Sequence, residues 1–217
     1  MRTAFAVATV VLLAVAFCAG AAGAAIIYSC DFEQGNTGFA SGYTYQAASL
    51  MAPELYDVDS NPRSDHSSWA SYGAFQGTLM MIVNGGQNPA TLLWAPMAPI
   101  PVLTISDYTI SVRVASSYSA SPAVLSWSVN GAPVGGTFTA STATGARDLF
   151  QVSWNSGSST SATLNLFNLN DDYSGNDFTL DAIAVEGSPV PLPGTLALMG
   201  SGLLGLILTG ARRRKRR

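Results

Sequence analysis

Few groups in this chain of 217 residues can do chemistry, and most of them are carboxylates. His66 is the single histidine, within Ser64, Asp65, His66 and Ser67. A nucleophile, a base and an acid that act together are assembled by the fold and rarely by adjacency, so this string signals no triad. One histidine without a cysteine partner makes no zinc site either. Cys30 lies beside Ile26, Ile27 and Tyr28 and reads as a buried small hydrophobe. There is no Walker loop and no dinucleotide fingerprint. What remains is oxygen chemistry, from thirteen Asp and Glu, and aromatic rings able to stack on sugars. Hard cations take such oxygen donors. Trp127 and Trp154 fall on apolar faces of strand-like runs and read as core. Trp69 and Tyr72 fall in an irregular, polar stretch and are the glycan-binding candidates.

Charge is spread unevenly. Six of the ten Lys and Arg are the last six residues, Arg212, Arg213, Arg214, Lys215, Arg216 and Arg217. Between residues 25 and 188 the basic residues are Arg63, Arg113 and Arg147, against thirteen carboxylates, a net charge of −10 that the whole-chain value of −3 hides. Nucleic acid binds proteins that replace its counterions with Lys and Arg, so this body is not expected to bind it.

The two ends are addresses. Arg2, an apolar stretch from Ala4 to Phe17 and small residues from Cys18 to Ala25 describe a secretory signal peptide over 1–24, with cleavage expected after Ala22, Gly23 and Ala24. At the other end, residues 194–211 form an 18-residue apolar run. A helix needs roughly 17–25 such residues to cross a membrane. Pro191 and Pro193 fix its start, and the basic cluster 212–217 holds its end in the cytoplasm. Everything before Val190 is then exported. Removing both ends leaves about 165 residues, enough for one domain with a core of its own, and no second cysteine for a disulfide.

Val190, Pro191, Leu192 and Pro193, followed by the apolar helix and the arginine cluster, resemble the PEP-CTERM sorting tail in its VPLPA-like variant, with Gly194 where that variant has Ala. The resemblance covers 189–217. It implies recognition by an exosortase-type membrane enzyme, a transient anchor in the inner membrane, and a mature form at the cell surface or outside the cell. In that family the tail is a substrate and not an active site.

The body between the addresses is rich in Ser, Thr, Gly, Val and aromatics, which favours strands. Alternation is strict in three places: Tyr108, Ile110, Val112 and Val114; Ala123, Leu125, Trp127 and Val129; Phe150, Val152 and Trp154. A period of two with one polar face predicts antiparallel sheets with one face in water. Leu79 to Val83 is apolar on both faces and predicts a central strand covered on both sides. Asn130 and Gly131 predict a tight hairpin turn. The apolar phase slips between Leu180 and Ile183, as a bulge near Asp181 would cause. Gln34 to Ser68 predicts long loops with short strands. The fold expected over 25–188 is all-β, a two-sheet antiparallel β-sandwich of jelly-roll type, flanked by a signal helix and a C-terminal transmembrane helix.

Several short segments also resemble secreted jelly-roll domains distantly like carbohydrate-binding modules: Asp31, Phe32 and Glu33; Gly77 to Gly85; and Gly175, Asn176, Asp177, Phe178, Leu180 and Asp181. In those modules an acidic residue near the first strand and an aspartate on the last strand share a structural calcium ion. The resemblance therefore implies a Ca²⁺ site at Glu33 and Asp181, with Asp31 and Asp177 as helpers. Ala182 stands where the related domains often carry a second Asp.

Together these features predict a non-catalytic exported protein, a structural component of exopolysaccharide or biofilm sorted by an exosortase. The alternatives are a carbohydrate-binding module with a structural calcium ion, and a glycoside hydrolase built on a carboxylate pair.

Overall fold

The computed structural model of the chain describes residues 24–187. The expected signal segment, the sorting motif, the apolar span 194–211 and the basic cluster lie outside the described residues. Among the described residues no helix is long and apolar enough to cross a membrane.

Two sheets face each other across one core. The larger has seven strands in the order β11 (Asp148–Asn155), β8 (Asp107–Ser116), β14 (Asp177–Gly187), β5 (Met80–Asn84), β4 (Leu55–Asp59) and β3 (Thr44–Tyr45), with β1 (Ala25–Cys30) also paired to β14. The smaller has five, in the order β10 (Ala132–Thr139), β9 (Val124–Val129), β13 (Leu164–Asn168), β6 (Leu92–Pro96) and β2 (Phe39–Ala40). A two-stranded ribbon joins β7 (Ile100–Pro101) to β12 (Ser161–Ala162), and one short helix, α1, spans Pro62–Asp65. β3 and β4 run parallel, and the other paired strands are antiparallel.

The alternation in sequence becomes the core. Ile110, Val112 and Val114 of β8 meet Leu125, Trp127 and Val129 of β9 and Leu164 and Leu166 of β13 in one cluster. Trp94 and Trp127 are fully buried there, edge to face at 6.0 Å. Burying one such Leu or Val contributes about 1.5–3 kcal/mol. Asn130 and Gly131 have φ of 53° and 80° and turn β9 into β10, as a two-residue hairpin turn of this type requires. β5 is apolar on both faces because both are covered. Met81 and Val83 point into the main core, while Met80 and Ile82 point outward into a second cluster with Leu50 and Trp69.

What covers that outer face is a strap between β4 and β5, built largely of α1 and the irregular chain after it. Ala70 N–H donates to the Ser117 carbonyl. The Tyr72 hydroxyl reaches Ala115 O, Ser117 Oγ and Thr179 Oγ1. Arg147 donates to the carbonyls of Gly73 and Ala74, and the Arg113 guanidinium lies 4.5 Å over the Phe75 ring. An acidic body thus spends two of its three arginines on pinning this strap.

The bulge on β14 lies where the alternation slips. Asp181 pairs with Arg113 and Ala184 with Ser111, so β14 advances three residues while β8 advances two. Ala182 takes a φ of 47°. The extra residue lets Phe178 and Leu180 before it, and Ile183 and Val185 after it, all reach the same core. It also marks a change of partner: β5 pairs with 177–180 and β1 with 183–187.

Candidate functional site

The four carboxylates expected to share calcium do not gather at one point. Glu33 and Asp181 both grip the chain that enters β5. Glu33 Oε1 accepts from the N–H groups of Thr78 (2.7 Å) and Leu79 (2.6 Å). Asp181 Oδ2 accepts from Phe75 (2.6 Å) and Gln76 (2.8 Å), and its Oδ1 accepts from Ala182. Burial pushes the Asp181 carboxyl up, these N–H donors pull it back, and the charge of Glu33 pushes it up again. Gly77 sits between the two carboxylates, and a Cβ there would overlap Glu33. Asp31 turns back locally to accept from the Glu33 N–H. Asp177 lines a different feature of the molecule. Among the described residues, the carboxylates that gather in a group of three are Asp57, Asp59 and Asp65, none of which belongs to the expected set.

Both glycan-binding candidates belong to the strap. Trp69 is 2% exposed, packed on Met80 and Ile82 under the strap. Tyr72 is a partly buried anchor of the strap, its hydroxyl engaged as described above. Tyr72 is not among the residues lining the cavity described next, whereas Trp69, although almost fully buried, is one of them. Their stretch reads as polar and irregular because its apolar side chains cover a sheet without the period of a strand or helix. Trp154, expected in the core, is partly buried against Tyr108 at 5.7 Å. Cys30 packs beside the core, and burial raises its thiol pKa.

A cavity of about 250 Å³ opens over the ends of β5 and β14. Its floor is polar, from Asn84 and Asp177, which pair across the two strands. One wall is His66 and Trp69, their rings 5.0 Å apart. The other carries Tyr118 and Tyr173, which are 38% and 68% exposed. His66 ends α1, where its N–H donates to the Pro62 carbonyl, and its Nδ1 accepts from Ser68 N–H.

Asp177 is the unusual group. It is 7% exposed, and burial pushes its carboxyl up to about 7, while the Trp69 indole acts in the opposite direction. It is the one carboxylate among the described residues lining the cavity. A glycosidase of the two-carboxylate kind needs a second one within about 5–9.5 Å across the sugar.

Asparagines fix the loop that carries Tyr173. Asn176 is fully buried with φ of 62°, accepts from Asn168 Nδ2, and donates to the carbonyls of Gly86 and Asn170. Asn170 donates to Ser121 and Pro122. Gly175 takes a φ of 90°, and a Cβ there would overlap the Ala120 carbonyl. Of the residues lining this cavity, the sequence singles out Trp69 as a glycan-binding candidate, Asp177 as a helper for a cation, His66 as the single histidine, and Gly175 within a resembling segment. Tyr118 and Tyr173 had no periodic signal, because each sits in a connection between strands.

No curated protein sequence matches the chain. The β-sandwich is similar to the CBM22-1 xylan-binding domain of Paenibacillus barcinonensis Xyn10C, at 17% identity and a TM-score of 0.51, over 79% of this chain and 99% of that domain. It is also similar to a cyclase from Fischerella sp. TAU, at 10% identity and a TM-score of 0.54, over 78% of this chain and all of the cyclase. At such identities the likeness is of fold, and one fold serving a sugar-binding domain and an enzyme leaves the chemistry to the site. The PEP-CTERM protein-sorting motif matches residues 189–215. The chain therefore carries a PEP-CTERM protein-sorting motif at residues 189–215, the mark of a protein sorted through its C-terminus, and ahead of that motif a β-sandwich similar in fold to the xylan-binding domain.

Proposed function

We propose that this protein is a non-catalytic component of the cell surface or extracellular matrix, delivered by an exosortase, whose sandwich holds a sugar residue of an exopolysaccharide in the Tyr118–Tyr173 cavity. The observation that carries the reading is the pairing of exposed tyrosine rings with a floor of Asn84 and Asp177. Rings offer flat apolar faces, and the floor offers an amide and a carboxyl for hydroxyl groups. A single sugar fits a cavity of about 250 Å³. The sandwich fold, shared with a domain named for xylan binding, supports the same class of ligand.

Affinity electrophoresis of the full chain in detergent through gels containing soluble polysaccharides tests it. Retardation by at least one polysaccharide, lost in Tyr173→Ala and kept in Tyr45→Ala, is expected. Tyr45 is 44% exposed and outside the cavity, so it controls for general stickiness. Equal retardation of both variants, or none of the native chain across a panel that includes the producing cell's own exopolysaccharide, would refute the reading.

A catalytic reading draws on one observation, the Asp177 carboxyl that titrates near neutrality in a cavity. It predicts reducing-sugar release that Asp177→Asn abolishes. The cation expected at Glu33 and Asp181 also remains part of the proposal. Two carboxylates gripping the same entry to β5 support it, and the five N–H donors already on them limit it.

A further inference from the structure

β4 places Asp57 and Asp59 two residues apart, opposite Ile82 and Met80, so both project from the outer face of the larger sheet. α1 follows at once and ends on Asp65, which folds back over them. One oxygen from each of the three carboxylates lies within 4.8 Å of the other two. Two oxygens bound to one ion at about 2.4 Å can stand at most about 4.8 Å apart, so the cluster has the span of a shared hard cation.

Two of the three carboxylates are held in place from behind. Asp57 accepts from the N–H groups of Ala48 (2.8 Å) and Val58 (2.6 Å). Asp59 accepts from Ser60 N–H (2.6 Å) and Ser64 Oγ (2.7 Å). Asp59 Oδ1 also accepts from Ser60 Oγ (3.2 Å), while both Asp57 oxygens and Asp59 Oδ2 keep a second lone pair. Asp65 is different: it is 3% exposed, and neither of its oxygens has any hydrogen-bond partner. An ionised carboxylate buried without a partner costs several kcal/mol, so something must meet it. The charges acting on it, from Asp57 and Asp59, are both negative. The remaining candidates are a proton and a cation.

We infer that Asp57, Asp59 and Asp65 form a binding site for a divalent hard cation of the Ca²⁺ class, closed by α1. Three carboxylates supply up to six oxygens, which matches calcium's need for six to eight, and an all-oxygen set disfavours zinc and copper. The site stands apart from Glu33 and Asp181, and it does not depend on the glycan reading. It does bear on the cavity, because His66 follows Asp65 directly and its carbonyl accepts from the Trp69 backbone N–H. An ion under α1 would steady that wall.

The test uses the full chain, stripped with chelator, and CaCl₂ as the probe. Calorimetric titration and thermal melting are run on the native chain, Asp65→Asn, Asp57→Asn, and Glu33→Gln. The inference expects Ca²⁺ to bind and to raise the melting temperature of the native chain and of Glu33→Gln. Asp65→Asn and Asp57→Asn are expected to lose that binding, while Asp65→Asn melts no lower than the native chain without calcium, since it removes a repulsion. Absence of Ca²⁺ binding by the native chain would overturn the inference. So would unchanged binding in both aspartate variants, or binding lost in Glu33→Gln alone, which would put the ion at the other pair. If one aspartate variant does not fold, the other decides.

Discussion

Replacing Asp177 with Asn tests the electrostatics of the cavity floor. The side chain keeps its shape and an acceptor oxygen for the Trp69 indole, but it cannot ionise. Burial holds the native carboxyl at about 7 against an ordinary value of 3.8. A raised acid pKa means that the folded state favours the proton. That stability is fully present below the unfolded pKa and is lost as pH rises through the folded one. Linkage over the window from about pH 5 to about pH 8 gives a ceiling of about 2.6 kcal/mol. Water at the cavity mouth screens the group, so about 1–2 kcal/mol is expected. The native chain should therefore lose about 1–2 kcal/mol more than Asp177→Asn across that window. Asp65 titrates in the same sense in both proteins, so it cancels in the comparison. Denaturant melts at both pH values, in calcium-free buffer, measure the difference. An Asp177→Asn chain whose stability relative to native is independent of pH would show that this carboxyl is not perturbed in the fold.

Trp69→Ala is expected to cost about 3–5 kcal/mol in a denaturant melt, because the ring packs on Met80 and Ile82 in the cluster under the strap. Near-native stability would show that the ring is not part of that core. Gly175→Ala meets both a φ of 90° and the Ala120 carbonyl, and should cost about 2 kcal/mol or more. It should also raise amide exchange along 170–176. Asp181→Asn weakens the grip on the chain entering β5 and should cost about 1.5–3 kcal/mol, with faster exchange of the Phe75 and Gln76 amides measured by NMR. An unchanged exchange rate at those two amides would show that the carboxylate does not hold them.

The strands were legible wherever one face meets water and the other meets the core. β8, β9 and β11 announce themselves by alternation, and β5 by apolar residues on both faces, because those patterns are the direct record of what each side chain contacts. The slip on β14 was legible for the same reason: one extra residue inverts the faces, so the pattern must jump where the chain bulges. The stretch from Gln34 to Ser68 gave no such record. Within it β2 and β3 have two residues each, too few to show a period.

The sites were less legible. Asp57 and Asp59 stood in the sequence two apart, but nothing near them says that Asp65 returns over the same face, since that depends on where α1 packs. Tyr118 and Tyr173 are separated by more than fifty residues and line one cavity because the loops around Asn176 are tied together.

By itself the sequence determined the C-terminal sorting motif, the sheet class and the turn at Asn130 and Gly131, since each is encoded in contiguous residues read by period, charge or backbone preference. Only the tertiary structure decided that Trp69 is buried, that Asp177 faces a cavity, and that three carboxylates share one small volume. Those facts depend on which distant segments touch, and burial and electrostatic coupling act through space, without regard to order along the chain.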